Sequence, residues 1–142
     1  MPSYNSRDVD VIFGGLRLSG WAPDTFCDIE YENDSWSLTI GADGEGIRSR
    51  SNDLSAKVTL RLLPSSDANT KLHAQWMADQ ASGRATVPLV ILHVPDGTSH
   101  TSDGCWVMKP PKKTYAAKSE PLEWVIQAYR LFPTYGFSTE KP

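Results

Sequence analysis

The sequence is short of most of what catalysis, export and membrane insertion draw on. It has two cysteines, Cys27 and Cys105, in 142 residues. That is too few for a disulfide scaffold, and both fall in strand-like runs, where a cysteine behaves as a small buried hydrophobe. The three histidines, His73, His93 and His100, form no pair at helical or zinc-finger ligand spacing, so no metal site is expected. No run approaches the roughly 20 apolar residues of a membrane-crossing helix. The opening Met-Pro-Ser-Tyr-Asn-Ser-Arg-Asp lacks the apolar stretch of a secretory signal, so the chain is expected to be made in a reducing cytoplasm. There is no Gly-x-Ser-x-Gly nucleophile elbow. The glycine-rich run from Gly41 to Gly46 has no Lys-Ser/Thr after it and no following helix, so it does not read as a phosphate loop. Excess positive charge is missing too: 14 Lys and Arg against 17 Asp and Glu leave a formal charge of −3, which excludes a nucleic-acid binder that works by bulk charge.

What is present is a single domain of alternating strands. Its length suffices for a real core, and its 39% hydrophobic content with five tryptophans is that of a folded chain. Asp8 to Phe13 alternates, Gly14-Gly15 follows, and Leu16-Arg17-Leu18 returns, which predicts a tight hairpin. Thr25 to Tyr31 sets Cys27, Ile29 and Tyr31 against Asp28, Glu30 and Glu32. Trp36, Leu38 and Ile40 form the next apolar face, read as core. Ile47 to Ser51 returns after the glycine-rich turn. Lys57 to Leu63 puts Val58, Leu60 and Leu62 inward and Lys57, Thr59 and Arg61 outward. One helix is predicted over about residues 67–81, capped by Ser65 or Ser66 and stopped by Gly83, with Leu72, Trp76 and Met77 packing on the sheet. Thr86 to Val94 reads as a strand buried on both faces. Gly97 to Gly104 reads as a polar loop, Cys105 to Lys109 as a short strand ended by Pro110-Pro111, and Leu122 to Phe132 as one long strand closed by Pro133, with Leu122, Trp124, Ile126 and Ala128 on one face and Glu123, Val125, Gln127 and Tyr129 on the other. The count is four or five strands before the helix and three after it. Residues 1–7 and 134–142 are expected to be flexible ends.

Charge is unevenly spread. Five acids and no base lie between Asp24 and Asp34, and four bases and no acid between Lys109 and Lys118. Such segregation suits contact between copies of one chain, and a patchy soluble surface is the plain alternative. Three carboxylates along one strand face do not make the facing pair that a glycosidase needs; a solvated face is the simpler reading. A domain of many short strands must also close, cover or pair its sheet edges, and pairing with identical neighbours in a ring is one solution.

Glu45-Gly46-Ile47-Arg48-Ser49-Arg50-Ser51-Asn52-Asp53, then Ala56 through Asn69 leading into the helix, resembles the tail tube proteins of contractile-tailed bacteriophages. The opening Tyr4-Asn5-Ser6-Arg7-Asp8-Val9 and the Phe13-Gly14-Gly15-Leu16 turn share in the likeness, which spans about residues 4–131. The resemblance implies a mainly β fold, a β-sandwich or partial barrel with one flanking α-helix, related to the ring proteins of type VI secretion. It further implies hexameric rings whose inner strands join into a continuous β-barrel. Stacked rings make a hollow tube inside a contractile sheath, and the family is neither enzymatic nor cofactor-dependent. The implied partners are other copies of the chain, the tail sheath protein, the tape measure protein and genomic DNA in the lumen, and the baseplate and tail terminator proteins. The implied location is the virion, assembled in the host cytoplasm.

On that reading the lumen-lining candidates are Asp28, Glu30 and Glu32, with Lys57, Thr59 and Arg61 as a second candidate lumen or outer face. The hairpin around 33–52 is the candidate arm to the next ring. Asp34, Asp43, Glu45, Arg48, Arg50, Lys112 and Lys113 are the ring-stacking candidates. Three alternatives stay open: a tube subunit of another phage-tail-like or type VI-like device, a monomeric β-sandwich binding module with Trp21, Trp36 and Trp106 as an aromatic platform, and a small hydrolase built on the acidic strand.

Overall fold

The chain begins with the hairpin that Gly14-Gly15 predicts. In the computed structural model, which describes residues 3–136, β1 (Val9–Phe13) pairs antiparallel with β2 (Leu16–Arg17). Gly14 and Gly15 hold φ of 61° and 80°, the two left-handed positions of the turn that matches strand twist. Further strands follow: β3 (Cys27–Tyr31), β4 (Trp36–Ile40), β5 (Gly46–Arg50) and β6 (Ala56–Leu62). After them come α1 (Ala68–Ser82), β7 (Val87–His93), β8 (Thr98–Lys109), β9 (Leu122–Ala128) and β10 (Phe132–Thr134). The observed count is six strands before the helix and four after it.

The main sheet runs β2-β1-β7-β8-β9-β6-β3, with β10 also on β8, and β4-β5 forms a separate two-stranded sheet. All pairings are antiparallel. β8 belongs to two layers. Its first half pairs with β7 and β10, its second half with β9, and its register shifts near Cys105 and again between Val107 and Lys109. Such irregularities bend a strand and increase its twist, so one sheet folds over itself. Val11, Leu89 and Ile91 from one layer meet Val58, Leu60, Trp124 and Ile126 from the other in one buried cluster. Among the described residues the sheet ends at β3 without closing into a barrel.

The alternation of β6 and β9 is as read: Val58, Leu60, Leu62 and Ile126 are fully buried, and their neighbours face out. Several other expectations are corrected. Gly97 to Gly104 is no loop; Thr98 onward is the first half of β8, held by backbone pairing on both sides despite polar side chains. β7 is not buried on both faces. Only Leu89 and Ile91 are buried, because among the described residues helix α1 packs on β8 and not over β7. The last strand breaks after Ala128, and Leu131 turns into the core with its N–H on the Leu54 carbonyl at 3.0 Å. The chain then resumes along β8 as β10, which carries Pro133 and Thr134. Proline is tolerated on such an edge because the edge side needs no donor. Thr134 pairs with Ser99 of β8, and Tyr135 meets the His100 ring edge-on. At the other end Ser6–Asp8 forms a 3-10 turn and Tyr4 stacks on His93. Residues 1, 2 and 137–142 lie outside the described residues.

Helix α1 stops where predicted, with Gly83 at φ 69° donating its N–H to the Asp79 carbonyl. At its start Ser66 Oγ accepts the Ala68 N–H at 3.2 Å, and Asp67, the formal cap, makes no side-chain bond. Leu72 is buried as expected, but Met77 is exposed and Gln75 is buried in its place. The reason is a backbone need. Gln75 Oε1 accepts the Val107 N–H at 3.2 Å and its Nε2 donates to the Ala85 carbonyl. Its carboxamide thus substitutes for the peptide that β7 fails to supply beside β8. The indole of Trp124 is tied down in the same way, its Nε1–H donating to Asn69 Oδ1 at 2.9 Å.

Candidate functional site

Two surfaces stand apart from the core. The first is the outer face of β3-β6-β9 and the end of β8. Cross-strand register aligns Glu30 with Lys57, Lys57 with Gln127, and Gln127 with Trp106. One level along, Asp28 meets Thr59, Thr59 meets Val125, and Val125 meets Lys109; Arg61 meets Glu123. Pairing partners share a face, so Asp28, Glu30, Lys57, Thr59 and Arg61 form one surface instead of two alternatives. Glu32 sits one residue past β3, its carboxylate accepting from Ser55 Oγ at 3.5 Å. Lys109 and Glu123 join the face. It therefore carries three acids within strands (Asp28, Glu30, Glu123) and three bases (Lys57, Arg61, Lys109), around an open groove of about 700 Å³. Arg61 is bracketed by Asp28 at 2.9 Å and Glu123 at 3.4 Å. The Asp28 hydrogen bond is the main reason its guanidinium pKa is raised further.

The β9 half of this face was visible in the sequence as the alternation of Glu123, Val125 and Gln127. What was missing was the partner strand, since alternation names faces but not neighbours. Behind the face Cys27 turns inward. Burial, helped by the Asp28 charge, pushes its thiol up to about 12. Burial likewise raises the Cys105 thiol, and both cysteines are free. Neither is poised as a nucleophile.

The second surface is the β4–β5 hairpin. Every residue of both strands is exposed. Trp36, Leu38 and Ile40, expected in the core, are 46%, 67% and 63% exposed. Arg48 lies over the Trp36 ring at 3.5 Å, with Arg50 at 5.9 Å. Asp34 lies in the turn that leads into β4, and Asp43 and Glu45 are at the tip, where Asp43 Oδ1 accepts the Glu45 N–H at 3.2 Å. Lys112 and Lys113 lie in the irregular connection 110–121 between β8 and β9. The hairpin leaves from the Tyr31/Ala56 end of the β3–β6 pair, whereas Leu122, which closes the connection, aligns with Leu62 at the other end of β6. The ring-stacking candidates thus divide between opposite ends of the sheet. The aromatic platform does not form: Trp21 packs on the core against Phe26, Trp36 rides the hairpin and Trp106 sits on the open face.

A cavity of about 560 Å³, which sequence reasoning missed, opens between β3 and the β7–β8 layer. His93 Nδ1 pairs there with Asp96 Oδ1 at 2.9 Å. The Asp96 carboxyl is held down to about 2, chiefly by the Thr98 N–H and then by His93. His100, which also lines it, has its pKa lowered by burial. Among the described residues no group of three or more His, Cys, Asp or Glu could hold a metal ion. No helix among them is long and apolar enough to cross a membrane.

The fold recurs in solved structures of other proteins. The fold is similar to the sheath/tube terminator of an extracellular contractile injection system, PVC, in the extended state. The TM-score is 0.67 at 13% identity, over 94% of this chain and 98% of that one. It is similar to the tube-terminating cap of the anti-feeding prophage, with a TM-score of 0.62 at 12% identity over 96% and 93%. It is also similar to a chain of the PVC sheath–tube complex, with a TM-score of 0.61 at 14% identity over 94% and 92%. No curated protein matches the sequence. The sequence model of the Bacteriophage PhiTE tail tube protein family matches residues 21–133. The chain belongs to that family. Its role is that of a tail-tube-like structural protein, in a family that is not one of enzymes, and membership implies a part of a virion or tail-like particle.

Proposed function

We propose that the protein is the building block of a bacteriophage tail tube, in which hexameric rings stack into a hollow conduit inside a contractile sheath and pass DNA to the host. The observation that carries this reading is the polar four-strand face ending at the edge of β3, which no further strand among the described residues pairs, on a chain of the tail tube family. A free strand edge is a template for another chain. A neighbour's strand added to β3 continues the face into a barrel wall, provided the register keeps Cys27, Ile29 and Tyr31 on the buried side. The face then lines the lumen.

The chemistry of that face suits a channel. Opposite charges a few ångströms apart leave little net field at a distance, so phosphates gain no strong foothold on Lys57 or Arg61. Glu32, one residue past β3 and outside that balance, adds local repulsion. The hairpin is the arm to the next ring, with Asp34, Asp43, Glu45, Arg48 and Arg50 on it, and Lys112 and Lys113 offer basic contacts at the far end. The partners on this reading are further copies, the sheath, the tail terminator, the baseplate, and the tape measure protein and DNA inside, with assembly in the host cytoplasm. A tube subunit of a phage-tail-like injection device is the second reading, favoured by the fold shared with PVC and anti-feeding prophage components.

The test is a phage carrying Glu30→Lys and Glu32→Lys. Asp28 is left in place because it neutralises Arg61. Tubes of normal length with impaired DNA ejection are expected; normal infectivity from such particles removes the lumen assignment.

A further inference from the structure

We propose that the β4–β5 hairpin of one copy docks its Trp36-Leu38-Ile40 face over the cavity between β3 and the β7–β8 layer of a second copy. This rests on the tube reading above and adds to it the receptor for the arm. The hairpin face is an unfinished surface. Three large apolar side chains stand in water on a two-stranded sheet, an element that is marginal when isolated. An apolar stripe of this kind rimmed by polar groups marks a contact site. The register fixes what accompanies it: Arg48 lies opposite Leu38 and Arg50 opposite Trp36. The arm therefore presents apolar bulk with two guanidinium groups on one side.

The cavity is the complement in both respects. Ile29, Ile91, Phe26 and Tyr135 line it with apolar surface, and Asp24 and Asp96 supply carboxylates. It exists because β3 ends the sheet, so no strand covers its inward side chains and Ile29 stays half-buried. Apolar surface meets apolar surface, and two cations meet the Asp24 carboxylate and that of Asp96, whose Oδ1 already accepts from the Thr98 N–H and pairs with His93. The placement also fits propagation. The hairpin leaves the Tyr31/Ala56 end of the β3–β6 pair, while the cavity takes in 24–27 at the opposite end of β3. Complementary patches at opposite ends of one chain join copies head to tail.

The test uses the full-length protein with a benzophenone amino acid at position 38, assembled to tubes from a mixture of isotope-labelled and unlabelled copies and irradiated. Crosslinks between copies to 24–29, 93–100 or Tyr135 are expected. Tubes whose crosslinks fall on 110–121 or elsewhere overturn this docking site and leave the tube reading intact. Wild-type protein that forms neither rings nor tubes overturns the tube reading and this inference with it. In parallel, Leu38→Asp alters an exposed residue, so folding is retained. It is expected to raise the concentration needed for stacking roughly tenfold or more; an unchanged threshold contradicts the proposal.

Discussion

β6 and β4 carry the same kind of pattern and end in opposite places. Val58, Leu60 and Leu62 alternate with polar residues and are fully buried. Trp36, Leu38 and Ile40 alternate with Ser37 and Thr39 and are exposed on a hairpin that touches no core. The difference lies in the neighbours. β6 lies between β3 and β9, and its inner face looks onto the β7 layer. β4 has only β5. Period-two alternation says that one face avoids water; it does not say whether the covering surface belongs to the same chain or to another copy.

The comparison is sharpened most strongly by Leu60→Ala. It empties a site in the sealed core and should cost about 2–5 kcal/mol of stability, read from chemical denaturation of the monomer. A loss below about 1 kcal/mol would mean that the β6 side of the contrast is overstated. Next comes Gln75→Leu, which keeps the bulk but strands the Val107 N–H and the Ala85 carbonyl, now bonded to the side-chain amide. Leaving such groups unpaired should cost about 2 kcal/mol, with faster amide exchange at Val107 as the local sign. Leu38→Ala in β4 should then change monomer stability by no more than about 0.5 kcal/mol while impairing assembly. A drop comparable to that of Leu60→Ala would erase the distinction between the two strands.

The smallest effect is one of pH. In the β7–β8 turn Asp96 accepts from the Thr98 N–H and pairs with His93, and its carboxyl is held from 3.8 down to about 2. A depressed folded-state pKa contributes stability above the unfolded value and loses it as pH falls through the folded value. The contribution of Asp96 is therefore complete above about pH 4 and fades towards pH 2. Asp96→Asn should flatten the stability profile across that window, read from chemical denaturation at several pH values.

Much of the architecture was legible because local chemistry and tertiary need agree. Gly14-Gly15 demanded a left-handed turn, Gly83 a helix stop, and the runs from Val58 and Leu122 a buried face. The misses have physical causes. Thr98 to Asp103 looked like a loop because its side chains are polar, yet Thr98 to Ser102 pair with β7 and Ser99 to Thr101 also with β10. Met77 looked like core, whereas the position facing β8 needed an amide, which Gln75 supplies. For the candidate site, the face of Asp28 and Glu30 and that of Lys57 and Arg61 were each readable alone. Their merger into one charge-balanced surface needed the β3–β6 pairing, a long-range fact. The cavity beside β3 arises from a strand that is absent, and no residue pattern announces it.

The central claim is that this chain builds rings that stack into a tube. Negative-stain electron microscopy of the purified full-length protein at high concentration, with mass photometry alongside, tests it most directly. Rings or hollow tubes with six-fold end views are the predicted result. A monomer at every concentration, with no polymer even when a tail initiator complex is supplied, would contradict it.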